Sequence, residues 1–261
     1  MASSSSTITL LTDFGLQDHF VAAMKGVMLG VNPELKFVDI SHLIPPHDVF
    51  SGAFTLTQAC FYYPPGTIHL AVVDPGVGTA RKALALSAGG HFFVAPDNGL
   101  LTSVMDSQES WTAYEITADH YYLKPLSATF HGRDIFAPIA AWVSRGIPLE
   151  QLGPVLKKPV RLEIPQLKKV QDALIQGCIL SVDRFGNLIT NLKPQDVPHF
   201  TKILAGKQEI NSIHETYEEA KEGEIFIIPG STGYLEIAVK NGSAAALLSL
   251  KTGAPVGVIL A

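Results

Sequence analysis

The chain has 261 residues, of which 47% are apolar and 16% are charged, and its formal net charge is −5. This composition supports a large buried core and argues against nucleic-acid binding, because the basic residues form no stripe or cluster. No apolar run is long enough to cross a membrane. The two cysteines are not in CxxC spacing, and isolated cysteines of this kind are typical of reduced thiols in a cytosolic protein. The serine-rich start, 1–6, lacks the basic and apolar regions of a signal peptide, so we expect a frayed end there and a cytoplasmic protein.

The first half of the chain alternates short apolar runs with segments of helical spacing. This alternation predicts an α/β domain with a mostly parallel central sheet covered by helices on both faces. A hairpin is expected across the Gly89-Gly90 pair, followed by helices near residue 100 and before residue 146. The earlier strands are predicted at 8–11, 35–40 and 68–73, with helices at 19–31 and from the cap Asp48 to about residue 60.

The composition changes after about residue 154. A lysine- and proline-containing stretch, 157–169, is typical of a linker, and short strands separated by turns follow it. We therefore predict two domains, an α/β sandwich over 1–160 and a smaller all-β barrel over 170–261. The strands of the second domain are predicted at 173–182, 188–191, 225–228, 234–239, 244–250 and 256–260.

One stretch, 67–81, combines a buried strand with a glycine-rich loop. Its apolar run ends at Asp74, where Pro75 stops strand pairing and the following glycines allow a ligand to approach the backbone. Asp74 should therefore stand at the carboxyl end of a central strand, where open α/β sheets bind ligands, and Arg81 follows on the same loop. The pattern indicates part of a functional site, and a surface turn with an ion pair is the alternative.

Two further loops carry candidate residues. Asp13 and Asp18 flank the loop after the first strand, where a carboxylate can bind a ribose diol or can instead cap the next helix. His131 lies at a predicted strand-to-helix junction beside a glycine. We expect no metal, because the Asp-x-His pattern of dinuclear phosphatases is missing, and no standard phosphate loop, dinucleotide fingerprint or serine elbow is present. The ligands that a metal site would draw on are Asp13, Asp74, Asp97, His131 and Asp134.

The segment 183–187 (DRFGN) ends the first predicted strand of the second domain. Asp183 offers a carboxylate and Phe185 an aromatic face. Asn187 offers an amide that could pair with both a donor and an acceptor on an adenine edge. A β-turn with the asparagine in the left-handed region is the alternative.

Taken together, five separated motifs resemble the SAM hydroxide adenosyltransferases, the adenosine-forming S-adenosylmethionine hydrolases that are related to fluorinases and chlorinases. The motifs are LTDFG at 11–15, VDPGVGT at 73–79, TFHGRD at 129–134, DRFGN at 183–187 and GSTGYLE at 230–236, so they span nearly the whole chain in order. The resemblance implies an amino-terminal α/β domain and a carboxy-terminal β-barrel. It also implies a homotrimer with each active site between the first domain of one subunit and the second domain of the next.

The resemblance further implies attack of water on the ribose C5′ of S-adenosylmethionine, which yields adenosine and methionine without a cofactor. Asp74, Arg81 and His131 would form the catalytic triad that holds and activates the water, and which of them takes the proton is left open. Asp13 would bind the ribose diol, and the methionine ammonium would be held by Asp18 and Asp183. Phe185 and Asn187 would contact adenine, and Ser231 would reach the methionine carboxylate.

The same positions distinguish a hydrolase from a halogenase. Tyrosines stand in the halogenases where this chain has Asp74 and His131, and the fluorinase has a serine in place of Gly132 and a long inserted loop that this chain lacks. A carboxylate at position 74 repels a halide and favours a hydrogen-bonded water. We therefore expect hydrolysis, with a halide-dependent transferase and a non-catalytic adenosine or S-adenosylmethionine binder as the alternatives.

Overall fold

The computed structural model describes residues 7–260, so the expectation for segment 1–6 concerns residues outside this range. The chain forms two compact units that divide between Leu162 and Glu163. This division falls between the ranges predicted for the two domains.

The first unit is built on a six-stranded sheet in the order β2-β1-β3-β5-β4-β6. Strands β1, β2, β3 and β5 run parallel, whereas β4 pairs antiparallel with both β5 and β6. The strands are β1 Thr7–Thr12, β2 Lys36–Ser41, β3 Ile68–Val72, β4 Ala83–Ala88, β5 His91–Pro96 and β6 Trp111–Glu115. The helices are α1 Phe20–Val31, α2 Val49–Cys60, α3 Thr102–Asp106 and α4 Ala137–Ser144.

Helices cover both faces of this sheet, as the sequence predicted. Met24 and Met28 of α1 and Ile139 of α4 belong to the core on one face, and Leu56 of α2 and Val104 of α3 belong to the core on the other. All five residues of β3 are buried, which explains why its sequence is a continuous apolar run rather than an alternating one. The three-layer α/β prediction is confirmed, and β6, which was not predicted, extends the sheet at one edge.

The second unit is an antiparallel sheet that curves until its end strands, β11 and β12, contact each other. This barrel-like architecture confirms the predicted fold class. The strand order is β11-β10-β14-β8-β9-β13-β12, and β7 pairs with β8. The strands are β7 Lys168–Gln171, β8 Leu174–Val182, β9 Leu188–Thr190, β10 Phe200–Ala205, β11 Gln208–Ile210, β12 Ile225–Pro229, β13 Leu235–Val239 and β14 Pro255–Leu260.

One predicted strand is wrong. The segment predicted as a strand at 244–250 forms a helix, α5, at Ala244–Leu248. Ser243 caps it, since its hydroxyl oxygen accepts a hydrogen bond from the backbone N–H of Ala246 at 3.1 Å. The run AAALL consists of strong helix formers, so a capped turn of helix wins over the strand that a short apolar run equally allows.

Neither cysteine forms a disulfide. Cys60 is buried on α2, and burial raises the pKa of its thiol to about 12, so the thiol stays protonated and unreactive. Among residues 7–260 no helix has the length and apolar character needed to cross a membrane.

Candidate active site

The ends of two neighbouring parallel strands bring the predicted loops to one edge of the first unit. Thr12 at the end of β1 pairs in register with Val72 at the end of β3. Asp13 therefore leaves the sheet beside the residues that lead into Asp74. His131 directly precedes a π-helical turn, Gly132–Phe136, which runs into α4. Such turns are rare and occur frequently at functional sites.

Arg81 joins Asp74 to His131 within this unit. Its Nε lies 2.9 Å and 3.0 Å from the two carboxylate oxygens of Asp74, and its Nη2 also donates to Oδ2 of that carboxylate. The same Nη2 lies 2.8 Å from Nδ1 of His131. The Asp74 and Arg81 side chains are only 6% and 10% exposed, so the ion pair is largely shielded from water. The three residues predicted as a catalytic triad form one connected cluster.

The contact with Arg81 fixes the protonation pattern of His131. A guanidinium only donates hydrogen bonds, so Nδ1 of His131 accepts, and the neutral ring carries its hydrogen on Nε2. Burial lowers the pKa of His131, and the nearby Arg81 charge lowers it further, against smaller opposing effects of Asp74 and Asp134. The imidazole is therefore neutral near pH 7 and presents an N–H donor on the side away from Arg81.

Aromatic and apolar side chains pack around Arg81 and Gly132 and hold the cluster in place. The Arg81 guanidinium lies over the ring of Phe136, 5.0 Å from its centre, which is a favourable cation–π distance. A Cβ atom placed on Gly132 would lie 3.2 Å from Phe130, 3.3 Å from Met24 and 3.4 Å from Phe14. Any larger side chain beside His131 would have to displace this packing.

The loop after β1 places the other predicted carboxylates of the first unit. Oδ2 of Asp13 accepts a hydrogen bond of 2.8 Å from the backbone N–H of His47, and this contact fixes the orientation of the carboxylate. His47 has a positive φ of 67°, so the backbone turns sharply to make the contact. Asp18, in contrast, is exposed.

The predicted residues of the second unit all line one cavity. Asp183, Phe185, Asn187 and Ser231 surround a cavity of about 750 Å³, which is large enough for a nucleoside-sized ligand. The Phe185 side chain is 77% exposed and the Asn187 side chain is buried.

A hydrogen-bonded network orients Asn187 in this cavity. Oδ1 of Asp183 accepts from the backbone N–H groups of Phe185 and Asn187 at 2.9 Å and 2.8 Å. Nδ2 of Asn187 donates to Oδ2 of Asp183 at 2.8 Å and to the hydroxyl of Tyr217 at 3.2 Å. The amide N–H₂ is thus already used, and in this arrangement Asn187 offers the cavity its carbonyl oxygen alone rather than the donor and acceptor pair expected from the sequence.

Sequence reasoning missed two residues that extend this hydrogen-bonded network in the cavity, Tyr217 and Glu236. The Tyr217 hydroxyl lies 3.5 Å from Oε2 of Glu236, which is a long hydrogen bond. Glu236 is buried, and burial together with the charge of Asp183 raises its pKa. Glu236 closes the quoted 230–236 motif and stands between apolar residues of β13, so a charge within a buried strand was the signal that could have identified it.

Two carboxylates therefore face the cavity, and none of the described residues that line it is lysine or arginine. Among residues 7–260 no cluster of three or more His, Cys, Asp or Glu side chains could hold a metal ion. The excess negative charge favours a cationic organic ligand.

An α/β domain with a carboxylate–guanidinium–imidazole cluster, followed by an antiparallel barrel with an acidic cavity, defines the class of protein. The chain matches the SAM hydroxide adenosyltransferase N-terminal domain over residues 8–153 and the C-terminal domain of the same family over residues 177–257. These matches cover most of the chain, which belongs to the SAM hydroxide adenosyltransferase family.

Similar proteins agree with this assignment. A protein of Salinispora tropica named (R)-S-adenosyl-L-methionine hydrolase is 40% identical over 94% of this chain and 95% of its own length. A fluorinase of an Actinoplanes species is 28% identical over 98% of each chain. The crystal structure of an uncharacterised conserved protein from Thermotoga maritima, 36% identical, superposes with a TM-score of 0.90 over 97% of this chain and 99% of that one.

Proposed function

We propose that this protein hydrolyses S-adenosyl-L-methionine by attack of water on the ribose C5′, and that the products are adenosine and L-methionine. The name of the Salinispora relative specifies the (R) configuration at sulfur, and we propose the same epimer as the substrate here. The observation that carries the proposal is the shielded cluster in which Arg81 bridges Asp74 and His131.

This cluster can bind and activate one water molecule. The Asp74 carboxylate accepts a hydrogen bond from the water and then its proton, while the Nε2–H of neutral His131 donates to the oxygen and orients it. Arg81 stays protonated, so its role is to hold the other two side chains in place. General-base assistance of this kind contributes about 10²–10⁴-fold to the rate. The departing sulfonium becomes a neutral thioether, so methionine needs no acid to leave.

The cavity of the second unit supports the charge of the proposed substrate. S-adenosyl-L-methionine carries a sulfonium and an ammonium, and both are cations that the carboxylates of Asp183 and Glu236 attract. Asp183 already accepts three internal hydrogen bonds, two at Oδ1 and one at Oδ2, whereas Glu236 has a single long one. We therefore propose that Glu236 offers the open acceptor for one of these cations, beside the roles predicted for Asp183, Phe185, Asn187 and Ser231.

The proposal also includes a homotrimer and catalysis without a cofactor, both carried over from the family resemblance. In the same way Asp13 is proposed to bind the ribose diol and Asp18 the methionine ammonium. Light scattering on the purified protein tests the assembly, and a monomer in solution would contradict it.

The test of the reaction is direct. The purified protein is incubated with each sulfur epimer of S-adenosyl-L-methionine in halide-free buffer, and the products are separated by liquid chromatography. We expect equal amounts of adenosine and methionine from the (R) epimer, unchanged when chloride or fluoride is added. Asp74→Ala, Arg81→Ala and His131→Ala should each lower turnover at least about tenfold. Asp106→Asn, at a surface ion pair with Arg161 in the same unit, is the control and should keep full activity.

The outcomes separate the alternatives. Halide-dependent formation of a 5′-halo-adenosine would favour a halogenating transferase, the activity of the more distant fluorinase relative. Binding of S-adenosyl-L-methionine without any product would favour a non-catalytic binder. Near-wild-type turnover in all three alanine variants would remove the cluster from the mechanism.

A further inference from the structure

Asp134 is a buried carboxylate that the proposed mechanism does not use. Its side chain is completely buried, and its two oxygens accept hydrogen bonds from Arg133 at 2.6 Å and 3.2 Å. Oδ2 also accepts a hydrogen bond of 2.7 Å from the backbone N–H of Ser127. A buried charge costs free energy unless it is paired, so this arrangement needs a reason in the structure around it.

Asp134 holds the segment that leads into His131, residues 123–130, here called the histidine loop. The loop has no helix or strand of its own. Besides the side-chain contact with Ser127, the carbonyl of Asp134 accepts from the N–H of Leu123 at 2.9 Å, and its own N–H donates to the carbonyl of Phe130 at 3.2 Å. One residue thus fixes the loop at its start, middle and end.

The middle of the histidine loop packs against the loop that carries Asp74 and Arg81. Gly78 has a φ of +77°, and a Cβ atom placed on it would lie 2.3 Å from the carbonyl oxygen of Ala128. Ala128 directly follows Ser127, whose N–H is bound by Asp134. The buried carboxylate is thus connected, through Ser127 and Ala128, to the close contact between the two loops.

Resting on the proposed function, we propose that Asp134 is a positioning residue that seats the histidine loop against Gly78 and thereby keeps His131 within hydrogen-bonding reach of Arg81. Asp134 forms no hydrogen bond with any of the three triad side chains and acts through the backbone of the loop. The 2.8 Å contact between Arg81 Nη2 and His131 Nδ1 joins one loop to the other, so it is the contact that a shift of either loop breaks.

The test compares Asp134→Asn with wild type. Asparagine keeps the size of the side chain but removes the charge that pairs with Arg133. We expect kcat for S-adenosyl-L-methionine to fall about tenfold to a hundredfold, as for a small misplacement of catalytic groups, while KM changes less than about threefold. Gly78→Ala places a methyl group against the carbonyl oxygen of Ala128 and so disturbs the same contact from the other loop. It should likewise lower kcat far more than it changes KM.

A control separates positioning from general loss of stability. Ser144→Ala removes a buried hydrogen bond to Asn32, which joins the far ends of α4 and α1. This variant should be less stable to heat but should keep the wild-type kcat.

The nitrogen NMR signals of His131 give a readout that does not depend on turnover. In wild type Nδ1 should show the shift of an unprotonated acceptor, and in Asp134→Asn that signal should move as the bond to Arg81 is lost. Unchanged His131 signals and kcat in Asp134→Asn, or an equal loss of kcat in Ser144→Ala, would overturn the proposal. Wild-type protein that releases no adenosine would contradict the proposed function alone, since the His131 signals are recorded without substrate.

Discussion

A buried pair of histidines makes the first unit sensitive to acid. His69 lies on the central strand β3 and is fully buried. Its Nδ1 is 2.7 Å from the hydroxyl of Thr9, its Nε2 is 3.1 Å from Nδ1 of His91, and its ring stacks on Phe93 at 4.8 Å. Burial, with a smaller effect of His91, lowers the pKa of His69 to about 3. No carboxylate is among these contacts, so protonation of the pair would place an unpaired charge in the core.

The pKa difference sets the size of the effect. The unfolded chain binds a proton at His69 near the ordinary pKa of about 6.5, whereas the folded chain does so only near 3. The unfolded state therefore binds more protons as the pH falls below about 6.5, and stability falls with it. Between about pH 7.5 and about pH 4.5 this single group should lower the free energy of unfolding by about 2–3 kcal/mol.

The assay compares wild type with His69→Gln in urea at the two pH values. Glutamine can hydrogen-bond to Thr9 and His91 but does not titrate. Trp111 and Trp142, the two tryptophans of the chain, both lie in the first unit, so their fluorescence reports its unfolding. Both proteins share all other titratable groups, so the contributions of these groups to the pH dependence cancel in the comparison. On acidification the free energy of unfolding of wild type should fall by about 2–3 kcal/mol more than that of the variant. An identical loss in the two proteins would refute the reasoning.

Two further predictions concern the candidate active site. The ratio kcat/KM should be constant at and above neutral pH and should fall below about pH 6.5, because protonation of His131 removes the lone pair that accepts from Arg81. Burial and Arg81 lower the pKa of His131, so a decrease in kcat/KM that begins above about pH 6.5 would contradict this prediction. Glu236→Gln should weaken binding of S-adenosyl-L-methionine about tenfold to a hundredfold, since a hydrogen bond to a charged group contributes about 1.5–3 kcal/mol. The same variant should leave binding of uncharged adenosine nearly unchanged in a calorimetric titration. Equal weakening for both ligands would mean that Glu236 does not face a cation.

The fold was predictable where local and long-range signals agree. Strand β3 is buried on both faces, so its apolar run and the proline and glycine that follow it indicate the same strand and loop. Strand β6 was missed because it is an edge strand with partly exposed residues, and it owes its place to pairing with β4 rather than to its own pattern. The segment of α5 was misjudged because a short apolar run fits a strand or a helix, and the cap at Ser243 decides between them.

The candidate site was predictable where a motif marks it. Asp74 and His131 each stand in a motif, and Arg81 follows the 73–79 motif by two residues, although only the structure shows that the guanidinium lies between the carboxylate and the imidazole. Tyr217 lies outside every motif, in a short 3₁₀ turn, and it reaches Asn187 only because the barrel brings residues thirty positions apart together. No local pattern encodes such a contact.

Asp74 and His131 share the guanidinium of Arg81, and this arrangement also affects which nucleophile the first unit accepts. Arg81 donates from Nε and Nη2 to Asp74 and from Nη2 to His131, and its positive charge is balanced by the adjacent carboxylate. A halide ion needs uncompensated positive charge or several unused donors, and here it would meet a shielded carboxylate. Water can donate to Asp74 and accept from the Nε2–H of His131 at the same time. Under the proposed mechanism the same three side chains therefore select water as well as activate it.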